Sequence, residues 1–191
     1  YRLDITDPRM FGGMIGPEYY YEERYATHRG TLEALSMYRQ VCDQFQKAFG
    51  RAYDTVETYR TNDAELIVVT AGTITSVTRL AIDQMRAKGI PVGLLKLRMF
   101  RPVPVECWRR ELCRTQKVVV IDRNLTAGLG GIFASEIKSA LYGVDSCPRV
   151  YSAVAGLGGR DVTPDDVIGI ITHFWPSKLS ETEVLFWGLK Q

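Results

Sequence analysis

Apolar residues recur along this chain in two rhythms, and the change from one to the other divides it. From about Glu18 to Phe49 they return every three or four positions, at Tyr21, Tyr25, His28, Leu32, Leu35, Tyr38, Cys42, Phe45 and Phe49, as one face of a helix does. Gly50 supplies a C-cap, and Gly30 offers a point where the segment breaks into a helix pair. A helix of roughly thirty residues reaches about 45 Å, so it either bridges domains or subunits or covers a core in the ordinary way. Ahead of it, Asp7-Pro8, Gly12-Gly13 and Gly16-Pro17 leave no room for a regular element, and residues 1–17 are expected to be a linker that follows another domain.

From Asp63 onward short apolar runs alternate with helical stretches. The runs at 64–70, 92–97, 117–121 and 149–154 read as buried strands; the stretches at 76–86, 105–113, 132–141 and 164–173 read as helices. Crossovers that contain helices demand a mainly parallel sheet covered on both faces. The fold class expected is therefore α/β, a mainly parallel sheet covered by helices and preceded by a long helical segment. The expected division is a linker over 1–17, a long helix or helix pair over 18–50, the α/β domain over 51–174 and an aromatic extension over 175–191.

Charge changes little in this picture. The 191 residues carry 24 Lys and Arg against 22 Asp and Glu, so no global field favours nucleic acid or an anionic membrane, and neither is expected as a partner. Cys42, Cys107, Cys113 and Cys147 form no CxxC pair and no iron–sulfur run, and read as reduced, mostly buried thiols of a cytoplasmic protein. The first residue is Tyr1, which suggests a piece of something longer.

Candidate chemistry gathers where the strands end, since ligands of such sheets sit beyond the carboxyl ends. After the second run, Arg98 and Arg101 flank Phe100, and their guanidinium groups can fork onto carboxylates or phosphates or pair within a domain interface. After the third come Asp122 and Arg123, able to pair with each other or with a neighbour, and then Gly128, Gly130 and Gly131 before a helix. Those glycines form either a structural turn or partner contact, or a phosphate cradle of backbone N–H groups. After the fourth, Gly156, Gly158 and Gly159 lead through Arg160 and Asp161 to Thr163, Pro164 and Asp166, an N-cap, a first-turn proline and a capping-box acid. That junction suits an anion, a docking partner, or simply a tight connection. No catalytic residue and no metal ligand set stands out. His28 falls on the apolar stripe and reads as a packing residue, and His173 sits in a last helical turn. The aromatic end, with Trp175, Phe186 and Trp187, either folds back over the core or buries in another chain.

In their order these segments resemble the second, transketolase C-terminal-like domain of the alpha subunit of 2-oxoacid:ferredoxin oxidoreductases, the pyruvate:ferredoxin oxidoreductase (pyruvate synthase) family. The residues that carry the resemblance are Phe49-Gly50-Arg51 with Tyr53, Asp63-Ala64-Glu65, Gly93 through Arg98, Arg101-Pro102 with Pro104, Asp122-Arg123-Asn124, Gly128 through Gly131, and Gly156 through Thr163. Val103 departs from the phenylalanine usual between those two prolines. The resemblance implies oxidative decarboxylation of a 2-oxoacid such as pyruvate by an assembly using thiamine diphosphate, Mg2+, [4Fe-4S] clusters and coenzyme A, with electrons passing to ferredoxin. It implies no cofactor bound by this chain alone, an architectural and interface role, and other subunits of the oxidoreductase as partners. A free-standing binding module for a phosphorylated metabolite, or the C-terminal piece of a transketolase or 2-oxoacid dehydrogenase, are the alternatives.

Overall fold

Alternate side chains of the run Leu66-Ile67-Val68-Val69 enter two separate cores, which is why the run is apolar without interruption. The computed structural model describes residues 3–9, 11–176 and 180–190. Of the two terminal segments set apart above, residues 1, 2 and 10 of the first and 177–179 and 191 of the last lie outside the described residues. The elements run α1 (Pro17–Phe49), β1 (Val56–Tyr59), β2 (Leu66–Ala71), α2 (Ile74–Ala87), β3 (Val92–Leu97), α3 (Val105–Leu112), β4 (Lys117–Asp122), α4 (Ile132–Leu141), β5 (Arg149–Val154), a 3-10 turn (Leu157–Gly159), α5 (Pro164–Phe174) and β6 (Val184–Phe186).

The sheet has the order β1-β3-β2-β4-β5-β6, parallel except for β1. Leu66 and Val68 of β2 pack with Ile82 of α2 and Ile170 of α5 on one face. Ile67 and Val69 pack with Trp108 of α3 and Ile137 of α4 on the other. Each fully buried aliphatic side chain of this kind contributes about 1.5–3 kcal/mol. The four central strands and four covering helices expected from the sequence are all present, and the expected α/β class holds.

Two strands go beyond that expectation. Val56–Tyr59 adds an antiparallel edge to β3, with Thr58 opposite Leu95. Val184–Phe186 adds a parallel edge to β5, with Ala153 opposite Leu185. The described part of the aromatic end thus folds back over the body. The Trp187 N–H donates to the Val154 carbonyl at 2.9 Å, and the indole lies against Gly169 of α5, where an added Cβ would stand 2.4 Å from the ring.

The long helix takes one of the two forms expected of it, and it corrects the reading of His28. It is continuous through Gly30, opened by Pro17 and closed by Gly50, whose left-handed backbone lets its N–H donate to the Gln46 carbonyl at 2.8 Å. Its apolar stripe is also not covered: Tyr21 is 81% and Tyr25 60% exposed, and His28 is exposed rather than packed. Only its C-terminal part meets the body, through buried Cys42, the Tyr38 hydroxyl donating to the Asp54 carbonyl at 3.3 Å, and Phe45 edge-on to Tyr53. The cysteines also divide: Cys42 and Cys107 are buried, Cys113 half-buried and Cys147 exposed, all free.

Candidate functional site

The parallel strands β3, β2, β4 and β5 end on one edge, and the candidate residues named from the sequence lie there, Asp122 as the last residue of β4 and the others in the loops that follow the strands. The structure sorts these residues into an internal cap, ion pairs within the domain, and an open cleft.

Asp122, the last residue of β4, is fully buried and turns into the start of α4. Its Oδ1 accepts from Phe133 N at 3.0 Å and Asn124 Nδ2 at 2.9 Å, and its Oδ2 from Ala134 N at 3.1 Å. Asn124 Oδ1 accepts from Ile132 N at 2.8 Å. The first turn of α4 is thereby supplied with acceptors from inside the chain, and the helix dipole favours the negative charge there. Burial pushes the Asp122 carboxyl above the ordinary aspartate range, against the opposing pull of those donors. An added Cβ at Gly131 would lie 2.0 Å from Asp122 Oδ2, so the glycine is required by this close approach. Gly128 and Gly130 close a tight turn in which Thr126 N donates to the Gly130 carbonyl at 2.8 Å and Gly130 N to the Thr126 carbonyl at 3.0 Å. In this loop the N–H groups of Ile132, Phe133 and Ala134 already serve Asn124 and Asp122, and that of Gly130 serves the Thr126 carbonyl, a geometry in keeping with the structural-turn reading. Nor does Asp122 pair with Arg123, because the two side chains leave the strand end in different directions.

Arg98 and Arg101 are paired within the domain. Arg98 joins Glu57 of β1, which Arg79 of α2 also reaches, and lies 4.5 Å over the Tyr53 ring. Arg101 joins Glu136 of α4 and lies 4.0 Å over Phe100, whose ring meets Phe133 edge-on. These contacts tie β1 and α4 to the loop after β3.

Arg123 instead crosses the strand ends. It donates to Thr73 Oγ1 at 3.1 Å and to the Gly156 carbonyl at 3.3 Å, linking the loops after β2, β4 and β5. Gly156 has φ 72° and no room for a side chain, since an added Cβ would lie 2.9 Å from Val162 and 3.0 Å from Arg123 Nε. Gly158 and Gly159 also take left-handed φ in the 3-10 turn. Beyond it the capping box forms as its sequence implied, with Asp166 N donating to Thr163 Oγ1 at 3.2 Å and Thr163 N to Asp166 Oδ2 at 2.7 Å. The Trp187 indole N–H donates to the other Asp166 oxygen at 2.9 Å and, ahead of the Thr163 bonds, holds that carboxyl below its ordinary range. Arg123, Arg160, Asp161, Thr73, Val77 and Val162 line a cleft of about 180 Å³. Arg160 also borders a second cleft, of about 160 Å³, against Phe186, Trp187 and Leu189.

Sequence reasoning placed Thr73 at a strand end and Trp187 in the aromatic extension but gave neither a partner. The position of Thr73, directly after a strand-ending glycine and before a helix, was the available signal; the bond from Trp187 to Asp166 had none. Among the described residues no group of three or more His, Cys, Asp and Glu is placed to hold a metal ion, and no helix is long and apolar enough to cross a membrane.

This architecture is that of transketolase-like α/β domains. A solved structure, a split gene transketolase in an inactive beta4 tetramer, matches 64% of this chain and 42% of its own at a TM-score of 0.51 and 16% identity. The sequence places the chain more narrowly: residues 64–167, more than half of its length, match the family model of pyruvate:ferredoxin oxidoreductase core domain II, and the chain belongs to that family. It is 37% identical over 189 residues to pyruvate synthase subunit PorA of Methanothermobacter thermautotrophicus, and 33% identical over 189 residues to the subunit of the same name from Thermotoga maritima. Each alignment covers 99% of this chain and 48% of the relative, so the chain spans about half the length of the curated relatives it matches.

Proposed function

We propose that this chain is the architectural core domain of a 2-oxoacid:ferredoxin oxidoreductase, one that oxidatively decarboxylates a 2-oxoacid such as pyruvate and passes the electrons to ferredoxin. The match of residues 64–167 to core domain II of that family carries the reading. The site chemistry agrees with a supporting role. Asp122, the one fully buried carboxylate at the strand ends, is occupied in holding α4, and Arg98 and Arg101 are occupied in joining β1 and α4 to the sheet. None of these groups is left free to act on a substrate.

On this reading thiamine diphosphate with its Mg2+, the [4Fe-4S] clusters and coenzyme A are held by other domains or subunits of the assembly. The chain's own contribution is a rigid edge of strand-end loops, Gly128–Gly131 and Gly156–Asp161 foremost, against which a cofactor-bearing domain packs. The protein is expected to be cytoplasmic. The test is to tag the protein in its native host, isolate it gently, and measure the mass, iron and thiamine diphosphate of what is recovered. Co-purifying iron and thiamine diphosphate, with turnover of a 2-oxoacid, is the expected result. A protein recovered alone, free of both, overturns the proposal and favours a free-standing binding module.

A further inference from the structure

We propose that the cleft between Arg123 and Arg160 is a binding site for a terminal phosphate group, free or carried on a small molecule. The inference concerns this chain's own ligand and stands apart from the activity of any larger assembly.

Its starting point is the pairing of arginines. Every other arginine from Arg60 to Arg149 has a carboxylate oxygen within 3.9 Å. Arg123 and Arg160 have none among the described residues, and these two line the same cleft. Their hydrogen bonds go to neutral acceptors: Arg123 to the Thr73 hydroxyl and the Gly156 carbonyl, Arg160 to the Gly188 carbonyl. Two arginines bordering one cavity bring like charges to it, and each keeps N–H donors beyond those bonds, with Arg160 able to turn from Gly188 toward the cleft. An anion with two negative charges is attracted to both, and the planar forks of arginine match its oxygens.

The third wall adds to the same field. The cleft is bordered by Thr73 and Ile74 at the start of α2, a 14-residue helix with no acidic residue in its first turn and no side-chain cap. The N-termini of α4 and α5 are closed by Asp122 and Asp166, so α2 differs in leaving its positive dipole end uncompensated beside two unpaired arginines. The residues that border the cleft therefore come from three elements: the loop after β4, the loop after the 3-10 turn, and the start of α2, where the Thr75 and Ser76 N–H groups already serve the Gly72 and Thr73 carbonyls and the helix contributes its dipole. A carboxylate presents two oxygens, whereas a terminal phosphate presents three, and the phosphate fits this arrangement better. A volume of about 180 Å³ admits a phosphate and a few further atoms, leaving the rest of a larger ligand outside against Val77 and Val162. Asp161 also lines the cleft and makes no ion pair with either arginine, so its charge opposes the incoming anion and limits affinity.

The test is isothermal titration calorimetry of the purified protein with inorganic phosphate and with glycerol 3-phosphate at low ionic strength, with sodium chloride at matched ionic strength as control. The expected result is saturable binding of phosphate at one site per chain, weakened roughly tenfold or more by Arg123→Gln or Arg160→Gln, strengthened by Asp161→Asn and unchanged by Arg114→Gln. Tighter binding of glycerol 3-phosphate than of inorganic phosphate assigns the site to a phosphorylated small molecule; the reverse assigns it to free phosphate. Heat no different from that of chloride overturns the proposal, as does binding that survives in both arginine variants. Arg123 also braces three loops, so Arg160→Gln, which removes a single exposed bond to Gly188, keeps the test valid if Arg123→Gln fails to fold.

Discussion

Replacing Asp122 with alanine removes the acceptor of two main-chain donors, Phe133 N at 3.0 Å and Ala134 N at 3.1 Å, and of the Asn124 amide that in turn holds Ile132 N. A buried donor stripped of its partner costs about 1–3 kcal/mol, and loss of a helix cap costs about 0.5–2 kcal/mol. These figures describe the same bonds and do not add in full. Alanine also relieves the burial of a carboxylate, an opposing gain. The expected net loss is about 2–4 kcal/mol, which for a chain of this length lowers Tm by about 4–16 °C. Urea denaturation followed by circular dichroism measures it, with Asp122→Asn as the partner variant that keeps one acceptor and should lose less. The pH dependence gives an independent check. Burial raises the Asp122 carboxyl above its ordinary value, so between the unfolded and folded values the folded state binds the extra proton. The stability from this group is then present in acid and declines as pH rises through that window; Asp122→Asn should flatten the decline. A loss below about 0.5 kcal/mol for the alanine variant, or an unchanged pH profile for the asparagine variant, would refute the role assigned to this carboxylate.

Trp187→Ala should cost about 2–3 kcal/mol, less than a fully buried tryptophan, because the indole is only half-buried although it covers Gly169 and donates to Asp166; limited proteolysis should then cleave the segment after Pro176 faster. Gly156→Ala forces a side chain into left-handed backbone and against Val162 and Arg123 Nε, so thermal unfolding should move down by several degrees, about 2–3 kcal/mol, where alanine at exposed Gly30 of α1 should raise stability or leave it unchanged.

What could be read in the sequence was what two-sided burial writes into it. β2, β3, β4 and β5 are covered on both faces, so their apolar runs stand out against the helical periods between them. β1 escaped because a four-residue edge strand, Val-Glu-Thr-Tyr, shows too little alternation to separate from a loop, and β6 because three residues set no period at all. The stripe on α1 was legible as a helix face, but periodicity says only that a face is apolar. It does not say what lies against it, and in the described structure most of that face is open. At the strand ends the residue types were visible while their partners were not. Asp122 and Arg123 are neighbours in sequence, yet one serves α4 and the other reaches Thr73 and Gly156, a division fixed by how the loops after β2, β4 and β5 meet in space.

The pairing of β6 with β5 also orders events in time. β5 is complete as a strand well before β6 appears in the chain, with all of α5 lying between them. Until Val184–Phe186 docks, the Ser152–Val154 side of β5 is an open, apolar ladder of hydrogen-bonding groups, the kind of edge on which stray chains accumulate. A ribosome-bound or partly unfolded molecule therefore carries a template for aggregation that the finished fold conceals with three residues and the Trp187 N–H. How promptly this three-residue strand docks is therefore expected to bear on solubility during synthesis.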